Sequence, residues 1–301
     1  FPRVVTTREM SETLMYGKES NHAIPLAGPL QFTAKTLPLD PYFLGVWLGD
    51  GASKVAQVTS ADPELVEELA RLGYASRKLE CASTPTCGQY SFGIDHGQRG
   101  LFSGRFESND SPHSKLRALG LLNNKHIPEI YMEGSVAQRQ ALLEGLMDTD
   151  GTVDAEDGGC EFYNMNERVA LGVYRLMQSL GLRPSWNTKR AMLYGKDCGT
   201  CYRIKVQPHF PIFRLKRKRD RHRFRNWFNR YRFVTKIEPY LSVPVRCLEV
   251  DSLSHLFLVT RACVPTHNSR IGAIAVSLFA AKPNQVIWAC APSFPKLHDY
   301  V

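Results

Sequence analysis

The sequence predicts an α+β fold in which one unit of secondary structure occurs twice. Two apolar helical patterns, near residues 40–50 and 135–150, both end in the dipeptide Asp-Gly. A strand, an amphipathic helix and a further strand follow each Asp-Gly in the same order. The offset between equivalent residues grows slowly: 100 for Asp50 and Asp150, 108 for Leu72 and Leu180, 112 for Tyr90 and Tyr202. Loop insertions in a duplicated unit produce such a drift, so we expect two halves related by a pseudo-twofold axis.

The first half carries the usual signals for helix and strand boundaries. Residues 1–35 show short β patterns, beginning with residues 4–7 (VVTT), and a passage rich in Pro and Gly. Asp40 followed by Pro41 predicts the start of a helix, because Asp caps the first turn and Pro fits its first position. The elements expected next are a strand at residues 55–59, a helix that ends at residue 72 and a strand at residues 90–94.

The second half repeats these signals. The second apolar helix is expected to begin near Ser135. The elements expected after it are a strand at residues 160–163, a helix that ends at residue 180, a strand at residues 202–206, β alternation over residues 243–258, a helix at residues 269–281 and a buried strand at residues 285–291.

Charge and cysteine content narrow the class of function. The chain has 38 Lys and Arg against 29 Asp and Glu, a formal net charge of +9 that favours a polyanionic partner. No run of 18 apolar residues occurs, so no membrane span is expected. Eight irregularly spaced cysteines favour a reducing compartment. Cys198 and Cys201 have the spacing of half a zinc site but no near second pair, which favours ordinary thiols.

The two Asp-Gly dipeptides end related motifs, residues 44–51 (LGVWLGDG) and 143–151 (LEGLMDTDG). Small residues within each helix allow two helix backbones to approach closely. The dipole of a helix opposes a carboxylate at its C-terminus, and two such acids repel each other unless a cation lies between them. One Asp-Gly is usually only a helix stop. Two copies that begin the same succession of elements predict a divalent metal site at Asp50 and Asp150.

These segments resemble the two LAGLIDADG motifs of a monomeric homing endonuclease. Residues 145–151 are close to the pattern of that family, whereas the first motif has Gly49 where alanine is common and no acid two places before Asp50. The resemblance implies that Asp50 and Asp150 hold Mg²⁺, and that one side of this metal site acts on each strand of a double-stranded DNA target. It also implies that the backbone of Gly49 and Thr149 lies beside the metal.

A lysine precedes the second motif. Residues 119–128 (LGLLNNKHIP) are similar to the Lys-x-Ile-Pro segment of intein endonucleases, whose lysine reaches the active centre. By this resemblance Lys125 orients the attacking water or neutralises developing phosphate charge, the alternative being a solvated surface lysine. Lys189 and Lys205 both qualify by position as its counterpart in the second half.

A basic run covers residues 214–232, where ten of 19 residues are Lys or Arg, interleaved with aromatic residues. It could contact DNA phosphates, which fix position without reading sequence. A solvated helical linker between domains explains the run equally well. The candidate phosphate contacts are Lys216, Arg217, Lys218, Arg219, Arg221 and Arg223. Base contacts are expected from the strands beside the helix pair.

A second chemical motif occupies residues 262–269 (ACVPTHNS). The side-chain amide of Asn268 can attack its own carbonyl carbon, which forms a succinimide and breaks the chain after it. His267 can polarise that carbonyl, and His255 can move the proton. Ser269 supplies a hydroxyl that can accept an acyl group.

Together with residues 245–258, this motif resembles the two C-terminal motif blocks of inteins. The resemblance implies that Asn268 cyclises, that His255 and His267 assist, and that Ser269 begins the downstream host segment. Cys247 occupies a position from which a subclass of inteins starts splicing, although many ordinary inteins carry cysteine there as well. The first intein residue and its upstream block are not in this sequence, so we expect cleavage at Asn268 rather than complete splicing in cis.

The last 33 residues read as an apolar helix followed by a buried strand that ends in Ala-Pro. This succession is typical of the segment after a P-loop, whose magnesium-binding hydroxyl would be Ser269 after splicing. The tail is similar to the ATPase of a phage terminase large subunit, although other P-loop ATPases share the pattern.

The combined expectation is a mainly β Hint (intein) domain interrupted by an endonuclease with two αββ-type repeats. The expected divisions are 1–35 (first Hint part), 36–213 (endonuclease), 214–236 (basic linker), 237–268 (C-terminal Hint part) and 269–301 (α/β host tail). The expected protein is a monomer that cuts double-stranded DNA with Mg²⁺ and acts on its host extein in cis. We expect it in the cytoplasm of a prokaryotic or phage-infected cell. The alternatives are a splicing element with an inactive nuclease, or a fragment whose main function is that of the terminase host.

Overall fold

The computed structural model describes residues 5–79, 88–94, 110–154, 156, 158–223, 230–239, 241, 250–251, 253–254 and 256–266. In chain order its elements are α1 (Thr7–Glu12), β1 (Met15–Tyr16), β2 (Glu19–Ser20), β3 (Ala23–Pro25), α2 (Pro41–Asp50), β4 (Gln57–Ser60), α3 (Pro63–Arg71), β5 (Tyr74–Leu79), β6 (Gly88–Ile94), α4 (Pro112–Ala118), α5 (Glu129–Met132), α6 (Val136–Asp150), β7 (Gly151–Val153), β8 (Cys160–Asn164), α7 (Glu167–Ser179), β9 (Ser185–Leu193), β10 (Lys196–Val206), α8 (Lys216–Arg219), β11 (Tyr231–Phe233), β12 (Phe257–Val259) and β13 (Val264–Thr266).

The chain divides into two compact units, a larger one of Gly28–Tyr231 and a smaller one of Phe1–Ala27 with Arg232–Val301. The expected domain boundaries stay predictions. In the described part of the chain, no helix has the length and apolar character needed to cross a bilayer.

The larger unit contains two similar successions of elements, each beginning with an apolar helix that ends in Asp-Gly. After α2 come β4, α3, β5 and β6, which form an antiparallel sheet of order β4-β6-β5. An isolated bridge between Gly51 and Val58 extends this sheet at the β4 edge. After α6 come β7, β8, α7, β9 and β10, in a sheet of order β7-β8-β10-β9. The strands β5 and β9 were missing from the sequence expectation.

The helices α2 and α6 lie at the centre of the larger unit and begin where the sequence predicts. The Asp40 carboxylate accepts a hydrogen bond from the backbone N–H of Tyr42 at 2.8 Å, and Ser135 forms a capping box with Gln138. The protein surrounds α2 on all sides, since every residue of this helix from Pro41 to Leu48 is buried. A helix that is apolar all round belongs in a core.

Two glycines allow these helices to touch along their backbones. A Cβ on Gly45 would lie 2.9 Å from the backbone nitrogen of Leu146 and closer still to the Leu142 carbonyl oxygen. A Cβ on Gly145 would lie 2.9 Å from the backbone nitrogen of Val46. Any larger residue at either position would separate the helices, so the predicted close approach is confirmed.

The smaller unit is built from short pieces. β1 pairs with β2, β3 with β11, and β12 with β13. The expectation of a strand at residues 4–7 that continues towards Met10 was wrong, since α1 occupies Thr7–Glu12. Thr6 and Glu9 form a capping box, in which each side chain bonds to the other's backbone N–H. This Thr-x-x-Glu signature outweighed the β-branched run before it. Residues 267–301, with the predicted tail helix and strand, lie outside the described residues.

Candidate active site

The C-terminal ends of α2 and α6 bring two carboxylic acids together. Asp50 is the last residue of α2 and Asp150 is the last residue of α6. The residues just before them are in contact, since a Cβ on Gly49 would lie 2.7 Å from the Cβ of Thr149. The paired Asp-Gly motifs therefore converge as the sequence predicts.

Burial makes both acids reluctant to ionise, and at Asp150 the charge of Asp50 adds to this effect. The pKa of Asp150 is raised to about 6, chiefly by burial and then by the negative charge of Asp50. The Asn164 amide opposes this rise by donating a hydrogen bond to the Asp150 carboxylate at 2.7 Å. Burial also raises the pKa of Asp50, against the attraction of Lys218 and Lys125. A bound cation would remove the repulsion between the two carboxylates.

Lys125 contacts the end of α2, close to Asp50. Its ammonium nitrogen donates to the carbonyl oxygens of Leu48 at 3.0 Å, Gly49 at 3.3 Å and Gly51 at 2.6 Å. These carbonyls lie at the negative end of the helix dipole, which attracts a cation. The same nitrogen lies 5.0 Å from the centre of the Trp47 ring. Burial lowers the pKa of Lys125 to about 8, while Asp150 and Asp50 oppose the change.

Lys218 makes the equivalent contacts at the end of α6. Its nitrogen donates to the carbonyl oxygens of four residues, Met147 at 2.9 Å, Asp148 at 2.7 Å, Thr149 at 3.2 Å and Gly151 at 2.6 Å. Only 7% of this lysine is exposed. Burial lowers its pKa to about 8, with Asp148 as the largest opposing charge. Each Asp-Gly helix end therefore holds one lysine, half-buried at Lys125 and buried at Lys218.

The two lysines proposed from the sequence as the counterpart of Lys125 lie elsewhere. Lys189 lies over the ring of Tyr163, 4.1 Å from its centre, and Lys205 lies 3.9 Å from Glu161. Both belong to the exposed face of the second sheet. The sequence did contain a signal that Lys218 is buried. Apolar residues at the start of the basic run indicate that this part of the run packs against the protein, and three of them are buried: Ile212, Phe213 and Leu215.

Lys218 differs from its neighbours in the basic run. The side chain is buried, so it is not one of the surface phosphate contacts that we expected. Arg217 forms an ion pair with Asp62 at 2.6 Å, and the backbone N–H of Lys216 donates to Glu64 at 3.0 Å. The remaining candidates are exposed: Arg219, Arg221 and Arg223. Residues 214–219 therefore pack against the larger unit instead of forming a free linker.

Asp148, two places before Asp150, is a buried acid to which the sequence assigned no role. It is 2% exposed, and its carboxylate accepts hydrogen bonds from the Tyr42 hydroxyl at 2.8 Å and from the backbone N–H groups of Arg214 and Leu215. Burial raises the pKa of Asp148 to about 6. Leu48 occupies the equivalent position in the first motif and is part of the core.

A cavity of about 640 Å³ opens beside Asp50. It is lined by β4 and the start of α3 on one side and by Asp148, Thr149, Leu215 and Arg217 on the other. Asp50 is thus accessible from a cavity next to the helix ends.

The chemistry of the donors fits a divalent cation with oxygen ligands. Two carboxylates converge, and each would gain from a positive charge between them. The described residues contain no group of three or more His, Cys, Asp or Glu side chains, so water and a ligand oxygen would complete the coordination. The carbonyls of Gly49 and Thr149 face lysines here, and their role as metal ligands stays a prediction.

The residues expected to carry the second chemistry are Cys247, His255, His267, Asn268 and Ser269, and all five lie outside the described residues. The hairpin β12–β13 ends at Thr266, directly before His267.

Residues 126–211 match the homing endonuclease family. Replicative DNA helicase DnaB of Mycobacterium intracellulare is 36% identical over 280 residues, which are 90% of this chain and 43% of the helicase. DnaB of Mycobacterium leprae is 64% identical over 39 residues. The homothallic switching endonuclease of Saccharomyces cerevisiae is 25% identical over 176 residues, half of this chain and 28% of the yeast protein. The chain therefore spans less than half of these relatives.

Solved structures of the homing endonuclease I-DmoI also match. One set, of mesophilic variants, covers 56% of this chain and 88% of I-DmoI at 14% identity and a TM-score of 0.34. A complex of I-DmoI with DNA and calcium covers 59% of this chain and 93% of I-DmoI at 13% identity and a TM-score of 0.35.

The chain contains a homing endonuclease domain, as the family match over residues 126–211 shows. It is also similar to replicative DNA helicases over most of its length. These relatives do not support the expected terminase host.

Proposed function

We propose that this chain is the C-terminal part of an intein that carries a LAGLIDADG endonuclease, with its two halves related by pseudo-twofold symmetry. The nuclease cuts both strands of a double-stranded DNA site by metal-assisted hydrolysis of phosphodiesters. The observation that carries this proposal is the meeting of Asp50 and Asp150 at two helix ends, each of which also holds a lysine.

Asp50 and Asp150 would hold the divalent cation, with Mg²⁺ as the expected ion. When bound, the cation would lower the pKa of a water molecule and neutralise charge on the phosphate. In each cut the water oxygen bonds to phosphorus, the bond from phosphorus to the leaving sugar oxygen breaks, and that oxygen takes up a proton while the water loses one.

Lys125 and Lys218 contribute mainly by their charge. Each ammonium group has three hydrogens, and its contacts with three or four carbonyl oxygens already use them. Neither lysine can therefore donate to a phosphate without releasing a carbonyl. A fixed positive charge in a partly buried site still stabilises the negative charge that develops during the cut.

The splicing activity rests on the sequence motif at Thr266–Ser269. The Asn268 side-chain nitrogen attacks its own carbonyl carbon, and the peptide bond to Ser269 breaks. The products are a C-terminal succinimide and a free amino group on Ser269. His267 and His255 assist the proton transfers. Cys247 is a candidate first nucleophile.

The host is proposed to be a P-loop ATPase, because the tail has the pattern of the helix and strand that follow a P-loop. Similarity to the helicases of Mycobacterium intracellulare and Mycobacterium leprae favours a replicative helicase over a terminase. The nuclease target is then the uninterrupted host gene, since insertion of the element would separate the two sides of the site.

The nuclease is tested on a plasmid that carries the host coding sequence with the codons of the element removed. With Mg²⁺ the protein should linearise this plasmid, and Asp50→Asn or Asp150→Asn should lower the rate at least about a thousandfold. Undiminished cutting by both variants would exclude these acids. Specific binding of the plasmid without cutting by the wild-type protein would identify a decayed nuclease.

Splicing chemistry is tested separately by mass spectrometry of the purified chain. Release of a 33-residue fragment that begins at Ser269 is expected, and Asn268→Ala should prevent it. Release at the same bond from the Asn268→Ala variant would refute the role of Asn268. The Asp50→Asn variant is the control and should release the fragment normally.

A further inference from the structure

We infer that Asp148 is a positioning residue that fixes the segment bearing Lys218 against the end of α6. Cutting of one DNA strand then depends on the contacts of Asp148, and cutting of the other strand does not. This inference rests on the proposed nuclease function.

The carboxylate of Asp148 is fully used by the protein. Oδ2 accepts from the Tyr42 hydroxyl at 2.8 Å and from the Arg214 backbone N–H at 3.0 Å. Oδ1 accepts from the Leu215 backbone N–H at 3.3 Å. With its oxygens occupied by these donors, Asp148 is poorly suited to bind the cation next to Asp150.

Two consecutive backbone N–H groups held by one carboxylate fix the path of the chain just before α8. The backbone N–H of Lys218 donates to the Leu215 carbonyl at 3.0 Å, so Lys218 lies one helical turn beyond the fixed point. Its ammonium group returns to α6 and contacts the carbonyl oxygen of Asp148 itself at 2.7 Å. The side chain and the main chain of Asp148 thus hold the two ends of the same short segment.

Further contacts join this segment to the first half of the unit. The guanidinium of Arg214 lies 4.1 Å from the centre of the Tyr42 ring and forms an ion pair with Glu144 at 2.7 Å. Because Tyr42 belongs to α2, the position of Lys218 depends on both central helices. A segment outside the repeated elements therefore completes the second catalytic half.

Lys125 is held by different contacts. The backbone N–H of Asn123 donates to the Ser53 carbonyl at 2.8 Å, and the Asn166 side chain donates to the Lys125 carbonyl at 3.2 Å. Leu48, the counterpart of Asp148, offers no side-chain acceptor. Loss of the Asp148 carboxylate should therefore disturb Lys218 and leave Lys125 in place.

The test measures the cutting of each strand separately. The same uninterrupted host sequence is labelled with a different fluorophore at each 5′ end, and Asp148→Asn is compared with wild type. One strand should be cut at least about tenfold more slowly and the other within about twofold, so nicked DNA accumulates, while the Kd for the DNA in Ca²⁺ stays within about threefold. Glu12→Gln, a carboxylate-to-amide change on the exposed helix α1 of the smaller unit, is the matched control and should leave the strand ratio unchanged.

Double variants separate positioning from general damage. Asp148→Asn should add little to the loss of cutting rate caused by Lys218→Met, because both changes act on the same strand through the same lysine. The losses of cutting rate caused by Asp148→Asn and Lys125→Met should instead multiply in the double variant. Tyr42→Phe removes one hydrogen-bond donor to Asp148 and keeps the ring beside Arg214, so it should cause a smaller loss of cutting on the same strand. This variant replaces Asp148→Asn in the test if Asp148→Asn folds poorly.

Equal slowing of both strands by Asp148→Asn or Tyr42→Phe would overturn the inference, as would multiplicative losses with Lys218→Met. Failure of the wild-type protein to cut would instead overturn the proposed function, so the two failures are distinguishable.

Discussion

The two halves of the larger unit end their central helices in the same way but obtain the lysine at each end from different places. Lys125 comes from the segment between the halves, just before α5, and Lys218 comes from α8, after the last strand of the second half. Each lysine contacts the carbonyl of the glycine after the acid at 2.6 Å. The two lysines come from different parts of the chain but make similar contacts. The helix end, with its free carbonyls and its acid, therefore determines where the ammonium group lies.

The largest expected effect tests whether the helix pair is as symmetric as its contacts indicate. Gly45→Ala and Gly145→Ala each place a Cβ against the backbone of the opposite helix, so both should lower the free energy of unfolding by about 3 kcal/mol. Urea unfolding of the two variants measures this. Gly28→Ala is the control, because a Cβ there meets nothing within 4 Å. A large cost for one variant alone would show that the two helices are not equivalent.

The next effect tests whether the lysines serve different strands. Lys125→Met and Lys218→Met should each slow one strand about a hundredfold, and the two should affect opposite strands, because each lysine lies at its own helix end. Strand-resolved cleavage measures this. The exposed Lys18 of the smaller unit provides the control variant Lys18→Met. If both variants slow the same strand, the assignment of one lysine to each half is wrong.

A smaller effect concerns a place where the motifs differ in size, Gly49 against Thr149. Gly49→Ala should cost about 2 kcal/mol, since the new Cβ would overlap the Thr149 side chain. Thr149→Gly should restore part of that loss in the double variant, with a coupling energy of about 1 kcal/mol. Strictly additive free energies of unfolding would show that Gly49 is not constrained by Thr149.

The smallest effect concerns pH. The pKa of Asp150 is about 6 in the folded protein, above its ordinary value, so the folded state binds its proton more tightly than the unfolded chain. The free energy of unfolding should therefore fall as the pH rises from about 4 to about 6 in the absence of metal. Mg²⁺ replaces that proton, so the rise in Tm that it causes should grow over the same range.

Differential scanning fluorimetry with and without Mg²⁺ tests this. In Asp150→Asn the Mg²⁺-dependent rise should be small at every pH. A pH-independent rise in the wild-type protein would contradict the expectation.

The sequence by itself determined the central pair of helices and their contact. Asp40 and Ser135 mark the helix starts by local capping chemistry, and the paired Asp-Gly ends with small residues before them indicate close approach. Such signals depend only on neighbours within about one helical turn. The prediction of a strand at residues 4–7 was wrong, because the capping box of Thr6 and Glu9 starts a helix there.

Only the tertiary structure decided which lysine lies at the end of α6 and which groups contact the Asp148 carboxylate. Lys218 lies 68 positions beyond Asp150 within a run of similar basic residues, so spacing could not distinguish it from its exposed neighbours. Its role follows from burial and from contacts with carbonyls that are distant in the sequence. The function of a buried charge depends on what surrounds it after folding, and a linear pattern does not contain that information.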